Sequence, residues 1–194
     1  MTDPDQRIYL ASGSPRRAQL LDQAGISYQV ISADVEERRG DGEPAADYVI
    51  RVARAKAEAA ATRITRPVPI LAADTEVVLD DRILGKPPDR HAAVEMLMSL
   101  SGRTHRVLTA VVLLHERLDC RLSESRVSFK PLTRRECETY CDAGMPYDKA
   151  GGYGIQDRAA LFISRIEGSY SGIMGLPLYE TAQLLEQHGG LRAA

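Results

Sequence analysis

The apolar positions change their period several times along the chain, and each change marks a predicted element. Ile8 to Ser12 is a short apolar run that reads as a first strand. Gly13-Ser14-Pro15-Arg16-Arg17 follows, then a helical pattern at Leu20, Leu21 and Ala24 that stops at Gly25. Ser14 suits the N-cap, Pro15 the first helical position and Gly25 the exit. Tyr28 to Ser32 is a second strand, and Glu36 to Pro44 a polar loop. The Ala-rich run from Asp47 to Ile64 holds no Gly or Pro and predicts a helix. Pro67 and Pro69 bracket the turn into a buried strand, Val68 to Ala73. Val77 to Leu84 reads as a hairpin turning at Asp80-Asp81. A helix is predicted over Ala92 to Leu100, and two long strands, expected to be antiparallel, over Val107 to His115 and Leu122 to Phe129. Thr133 with Glu136 predicts a capping box for a helix reaching Asp142. A late strand, Leu161 to Ile166, and a closing helix, Leu178 to Gln187, complete the pattern. Helices interleave with strands, some of them in hairpins, so a mixed sheet carrying helices is the expected class.

Composition narrows the chemistry. The 194 residues suit one large domain or two small lobes, and 44% hydrophobic residues suffice for a core. Lys and Arg number 25 against 27 Asp and Glu, which excludes a generally basic nucleic-acid binder but not a local basic pocket. With no Trp and only 2 Phe, an aromatic platform for single-stranded bases is not expected. Cys120, Cys137 and Cys141 read as reduced thiols, because no further partners stand at zinc-site spacing. Met1 to Arg7 is polar and acidic, unlike a signal peptide. The longest apolar stretch, Val107 to Leu114, is too short to span a membrane, so a cytoplasmic protein is expected.

Four segments carry candidate chemistry. The start of the first helix offers free N–H groups, with Ser12, Ser14, Arg16 and Arg17 around it. Such a group suits phosphate, or else it is a capped surface helix with solvated arginines. Its glycine spacing is that of neither a Walker loop nor a dinucleotide fingerprint. At about 100° per residue, Lys56 falls among Tyr48, Val49, Val52 and Ala59 on the core face of its helix. A lysine there needs a partner or a ligand, or must snorkel to the edge of the face. Replacement by Met is expected to leave the fold intact or slightly more stable, because it removes a buried charge. Asp74 follows an apolar strand directly and is expected at its C-terminal end, where open α/β sheets bind ligands; it would hold a metal, act as a base, or cap a turn. Gly151-Gly152-Tyr153-Gly154 before Gln156 lets backbone approach a ligand, or is a surface loop. Lys86, between Gly85 and Pro87, is a weaker candidate, and Glu37, in the acidic pair Glu36-Glu37, is either solvated loop charge or completes a metal site with Asp74. The four histidines show no ligand spacing.

Taken in order, these segments resemble the Maf family of nucleoside triphosphate pyrophosphatases, also described as septum-formation inhibitors. The matching pieces are Leu10-Ala11-Ser12-Gly13-Ser14-Pro15-Arg16-Arg17, Arg54-Ala55-Lys56-Ala57, Ala73-Asp74-Thr75, Gly85-Lys86-Pro87, Ser101-Gly102-Arg103-Thr104-His105, Lys149 to Gln156 and Gly175-Leu176-Pro177-Leu178. Gly152 departs, since Ala is commoner there. So does Ser171-Gly172-Ile173-Met174, usually richer in valine.

The resemblance implies an elongated mixed α/β fold like that of inosine-triphosphatase-type enzymes, two lobes around a cleft, over a single domain spanning residues 1–194. It implies a divalent-metal-dependent cut between the α- and β-phosphates, with Mg²⁺ or Mn²⁺ as cofactor and Glu37 and Asp74 as its ligands. Asp74 matches the family's proton acceptor. Ser12, Arg17, Glu37, Lys56 and Lys86 match positions lining the phosphate and metal pocket. Arg16, Thr75 and Gln156 match the subgroup acting on dTTP and UTP, and modified pyrimidine nucleotides are further expected substrates. Gln156 would pair with O4 and N3–H of uracil or thymine, provided Thr75, Arg16 or backbone groups fix its amide. The expected partners are the nucleotide and, as an open option, a second copy of the chain; no nucleic acid or membrane is expected. The rival function is a nucleotide-binding regulator of septum formation with little catalysis.

Overall fold

The computed structural model describes residues 8–65, 68–144 and 147–188. Met1 to Arg7 and Pro67 lie outside the described residues. The chain divides into two compact units: residues 1–74, 109–123 and 175–194 in the first, 75–108 and 124–174 in the second. The fold class is mixed α/β, with helices flanking a seven-stranded sheet of parallel and antiparallel pairs.

The first unit begins with β1 (Ile8–Ala11), α1 (Pro15–Gln23) and β2 (Tyr28–Val30). The second strand is thus shorter than the sequence suggested. β1 pairs in parallel with β2 and also with β3 (Ile70–Leu79), whose first half belongs to this unit. Ser14 is the N-cap of α1 and Pro15 its first residue, although the Ser14 side chain makes no capping hydrogen bond. Gly25 leaves the helix at φ 67°, a conformation that favours glycine. α2 (Ala45–Ala61) runs from Pro44 and buries Val49, Val52, Ala53, Ala57 and Ala60. α6 (Leu178–Gln187) closes the unit with Leu184 and Leu185 in the core.

The second unit holds the rest of β3, then β4 (Arg82–Leu84) and α3 (Arg90–Leu100). β3 and β4 form the expected hairpin, with Leu79 opposite Arg82. The two-residue turn takes Asp80 to φ 55°, and Arg103 holds the Asp80 carboxylate at 2.8 and 2.9 Å. β5 (Thr104–Leu114) and β6 (Leu118–Phe129) are neighbours contributing to both units. Their three-residue connection returns the chain antiparallel. α4 (Arg134–Asp142) carries the complete capping box of Thr133 and Glu136. β7 (Ile163–Glu167) pairs antiparallel with β6, and α5 (Tyr170–Met174) is a single turn. The core here gathers Val77, Leu97, Leu100, Phe129, Tyr140 and Phe162. Among the described residues no helix is long and apolar enough to cross a membrane.

One expectation is corrected. β3 does not end at Ala73, so Asp74 stands inside a ten-residue strand rather than after one. The hydrophobic run is broken by Asp74-Thr75-Glu76, but a strand is held by its backbone ladder, and a polar side chain does not end it when it finds a partner. The ligand-end argument survives in another form. The parallel register of β1 with β3 stops at Ala11 opposite Ala72, so Asp74 lies just past the C-terminal end of that pair.

Candidate active site

In the first unit, Lys56 projects from the buried face of α2, as its helical phase requires. Its ammonium lies 2.7 Å from Asp74 Oδ1 and 2.6 Å from Glu37 Oε1. The Lys56 and Asp74 side chains are 11% and 8% exposed, against 43% for Glu37. The lysine on the core face therefore has two carboxylate partners. That reverses the expectation for Lys56→Met: the variant would leave a buried carboxylate uncompensated instead of relieving a stranded charge. Asp74 Oδ2 is buried and has no hydrogen-bond partner among the described residues.

Arg17 is buried on α1. Its Nε–H donates to the carbonyl of Gly175 at 2.7 Å and Nη1 to Ser12 Oγ at 2.9 Å. Burial lowers its pKa; the negative charges of Asp74 and Glu37 oppose this, and neighbouring Arg16 adds to it. Ser12 Oγ also accepts from Ser14 N at 3.2 Å. Ser12 is thereby fixed at the β1 exit, while Arg16 is half-buried beside it.

Glu37 sits on an irregular loop that residues of α2 pin from behind. The Tyr48 hydroxyl donates to the Glu37 carbonyl at 3.0 Å. Arg51 donates to the Arg38 carbonyl at 2.9 Å and grips both oxygens of Glu43 at 2.7 and 2.9 Å. The Arg51 hydrogen bond, helped by Gly40 N–H, holds the Glu43 carboxyl at about 2. Sequence reasoning missed this clasp. Tyr48 reads as one more residue of the apolar face, and nothing in the pattern ties Arg51 to Glu43.

The other candidates belong to the second unit. Thr75 is half-buried on β3, and Lys86 is exposed between β4 and α3. Gly151 N–H donates to the Gly85 carbonyl at 3.1 Å, which joins the Lys86 turn to the glycine-rich segment. Gly151 and Gly152 have φ of 73° and 67°. A Cβ on Gly151 would meet Val77 Cγ2 at 2.8 Å, so this close approach to β3 requires glycine. Tyr153 is buried, and its hydroxyl lies 2.7 Å from His105 Nε2. The Tyr140 hydroxyl accepts from Gly154 N at 3.2 Å and donates to Asp157 Oδ1 at 3.0 Å. Gln156 is exposed, and none of the described residues hydrogen-bonds its amide. The fixing of that amide by Thr75, Arg16 or backbone groups is therefore not observed. Cys120, Cys137 and Cys141 are free thiols.

The arrangement in the first unit is chemically specific: two carboxylates share one ammonium, and a buried guanidinium stands close by. It can bind a polyanion through its cations and hold a hard cation through its carboxylates. Among the described residues no group of three or more His, Cys, Asp or Glu gathers as a metal cage.

Residues 7–188 match the family model described as Maf-like protein. A dTTP/UTP pyrophosphatase of Bordetella avium is 53% identical over 192 residues, covering 94% of this chain and 96% of the relative. A protein of the same name from Alkalilimnicola ehrlichii is 51% identical, covering 93% and 92%. The Ham1 protein of Staphylococcus aureus aligns over 63% of this chain and 70% of its own, with 19% identity and a TM-score of 0.43.

Proposed function

The chain belongs to the Maf family, and from that membership we propose that it hydrolyses dTTP and UTP of the cytoplasmic nucleotide pool to the monophosphate and pyrophosphate. The observation carrying this reading is Lys56 held between Glu37 and Asp74 beside buried Arg17. Arg17 and Lys56 place two buried cations there in a chain whose net charge is -2, as a triphosphate requires.

A divalent cation fits these residues. Mg²⁺ is commonly held by one or two carboxylates together with substrate phosphates rather than by a full protein cage. Glu37 and Asp74 supply that number, and Asp74 Oδ2 is a buried acceptor lacking a partner. When bound, Mg²⁺ or Mn²⁺ would neutralise phosphate charge and acidify water. The protein's own part is distinct. Ser12, Arg17 and the start of α1 grip phosphate oxygens. Lys56 positions Asp74 before the nucleotide arrives, and Lys86 is a further cation that the family resemblance assigns to phosphate. Asp74 takes the proton from the water that attacks the α-phosphorus; the α–β anhydride bond breaks and pyrophosphate leaves. Arg16, Thr75 and Gln156 serve base selection.

A nucleoside triphosphate panel with Mg²⁺ tests the reading. Pyrophosphate, not orthophosphate, should accompany dTMP and UMP. Asp74→Asn keeps the side-chain size, removes the base, and should lower kcat by roughly 10²–10⁴-fold. Orthophosphate release, or wild-type kcat in a folded Asp74→Asn protein, would refute the assignment.

A further inference from the structure

Two carboxylates on separate elements are drawn to one point, and a lysine already stands there. Asp74 is fixed by β3, while Glu37 is fixed by the Tyr48 and Arg51 bonds to its loop. The loop bonds keep the Glu37 main chain in place, and a cation between the two carboxylates offsets their repulsion. Lys56 supplies it at 2.6 and 2.7 Å, its stem packed in the row of buried α2 residues. These distances use one oxygen of each carboxylate, and Asp74 Oδ2 remains without a hydrogen-bond partner among the described residues. Arg16 and Arg17 add positive charge close to Lys56, Glu37 and Asp74. A free dication approaches this site against a positive field, whereas one bound to a triphosphate does not.

We infer that Lys56 is a resident counter-ion that occupies the metal position of the nucleotide-free enzyme. It keeps a free divalent cation out and yields the carboxylates only when the cation arrives with triphosphate. Metal binding is then ordered: the metal–nucleotide complex binds, and the bare ion does not. The inference rests on the proposed pyrophosphatase reading, because the displaced ammonium needs a phosphate to move to.

The test is a titration with Mn²⁺ alone, without nucleotide, read by loss of the free-ion electron paramagnetic resonance signal and by melting temperature. Wild type should show no saturable binding below millimolar Mn²⁺ and no shift in melting. Lys56→Met and Lys56→Gln should bind Mn²⁺ at least tenfold more tightly, and Mn²⁺ should raise their melting temperatures. If both variants fail to fold without metal, recovery of a melting transition on adding Mn²⁺ is the same result. Failure to recover it counts against the inference. Tight Mn²⁺ binding by wild type, or equal affinity in all three proteins, overturns it. The titration contains no nucleotide, so its outcome is separate from the pyrophosphate assay. An enzyme that released no pyrophosphate would defeat the functional reading instead.

Discussion

The segment around Lys56 and the segment around Gln156 are built on opposite plans. The first is charged, buried and tied several times over: Lys56 to two carboxylates, Arg17 to Ser12 and Gly175, and the Glu37 loop to Tyr48 and Arg51. The second is an exposed amide on a turn whose support is mostly aromatic, with Asp157 as its charged member. Tyr153 meets His105, Tyr140 bridges Gly154 and Asp157, and two glycines sit at positive φ. Phosphates are common to every nucleotide, so their recognition can be locked into the core. A base is recognised by a few hydrogen bonds, and those need a side chain that still meets solvent before the ligand arrives. Charge tolerates burial only when paired, which explains why the first segment is over-tied and the second is not.

If that contrast holds, the largest effect on folding comes from unpairing the charged segment. Lys56→Met should destabilise the protein by about 3 kcal/mol, the lower end expected for breaking a buried pair, because Arg17 still faces Asp74. Lys56→Met with Asp74→Asn should recover most of the loss, since the stranded charge is gone. Urea unfolding midpoints measure both. A single variant as stable as wild type would mean that the pair contributes nothing and that the contrast is one of exposure alone.

The His105–Tyr153 contact supporting the second segment predicts a pH response of its own. Burial pushes His105 down to about 4. The unfolded chain, with an ordinary histidine near 6.5, binds a proton that the folded chain refuses between those values. Stability therefore falls as pH drops from about 6.5 to 4, by up to about 3 kcal/mol, and is fully retained above that window. His105→Gln should be less stable at neutral pH and should lack this part of the acid loss. Parallel stability–pH curves for the two proteins would remove His105 from the account.

Much of this was legible in the sequence where one physical requirement dominates. α6 spans the residues read from its period, the Thr133–Glu136 capping box is complete, and the hairpin turns at Asp80-Asp81. Lys56 stood out because a charge on an apolar helix face demands a partner. Its partners were not legible as such, since Glu37 and Asp74 lie far from it in sequence and only the fold brings them together. β3 misled because its polar residues meet a tertiary partner that local pattern cannot contain. The Arg51–Glu43 clasp and the Arg17 bond to a backbone carbonyl leave no periodic trace at all.

Base selection carries the smallest expected effect, because its reader is the least constrained part. An amide fixed in one orientation presents its N–H to O4 and its oxygen to N3–H of uracil, and opposes cytosine at both atoms. Each buried polar group left unpaired costs about 1–3 kcal/mol, so a fixed Gln156 opposed at two atoms would discriminate by at least about thirtyfold. No described residue holds the Gln156 amide, so it can turn over and meet cytosine with the reverse pattern. Wild type should therefore prefer UTP to CTP by only about tenfold in kcat/KM, a figure set by the work of orienting the amide rather than by an absolute mismatch. Gln156→Glu replaces the donor with a second acceptor. Repulsion from O4 should lower kcat/KM for dTTP and UTP by about tenfold, mostly through KM, because the contact is as strong before the reaction as during it. The amino group of cytosine can donate to the new carboxylate, so CTP should lose less and the UTP-to-CTP preference should collapse. Steady-state constants for dTTP, UTP and CTP with both proteins decide the matter. A hundredfold preference in wild type would show that the bound nucleotide fixes the amide as firmly as the core fixes Lys56. An unchanged preference in the variant would take Gln156 out of base reading.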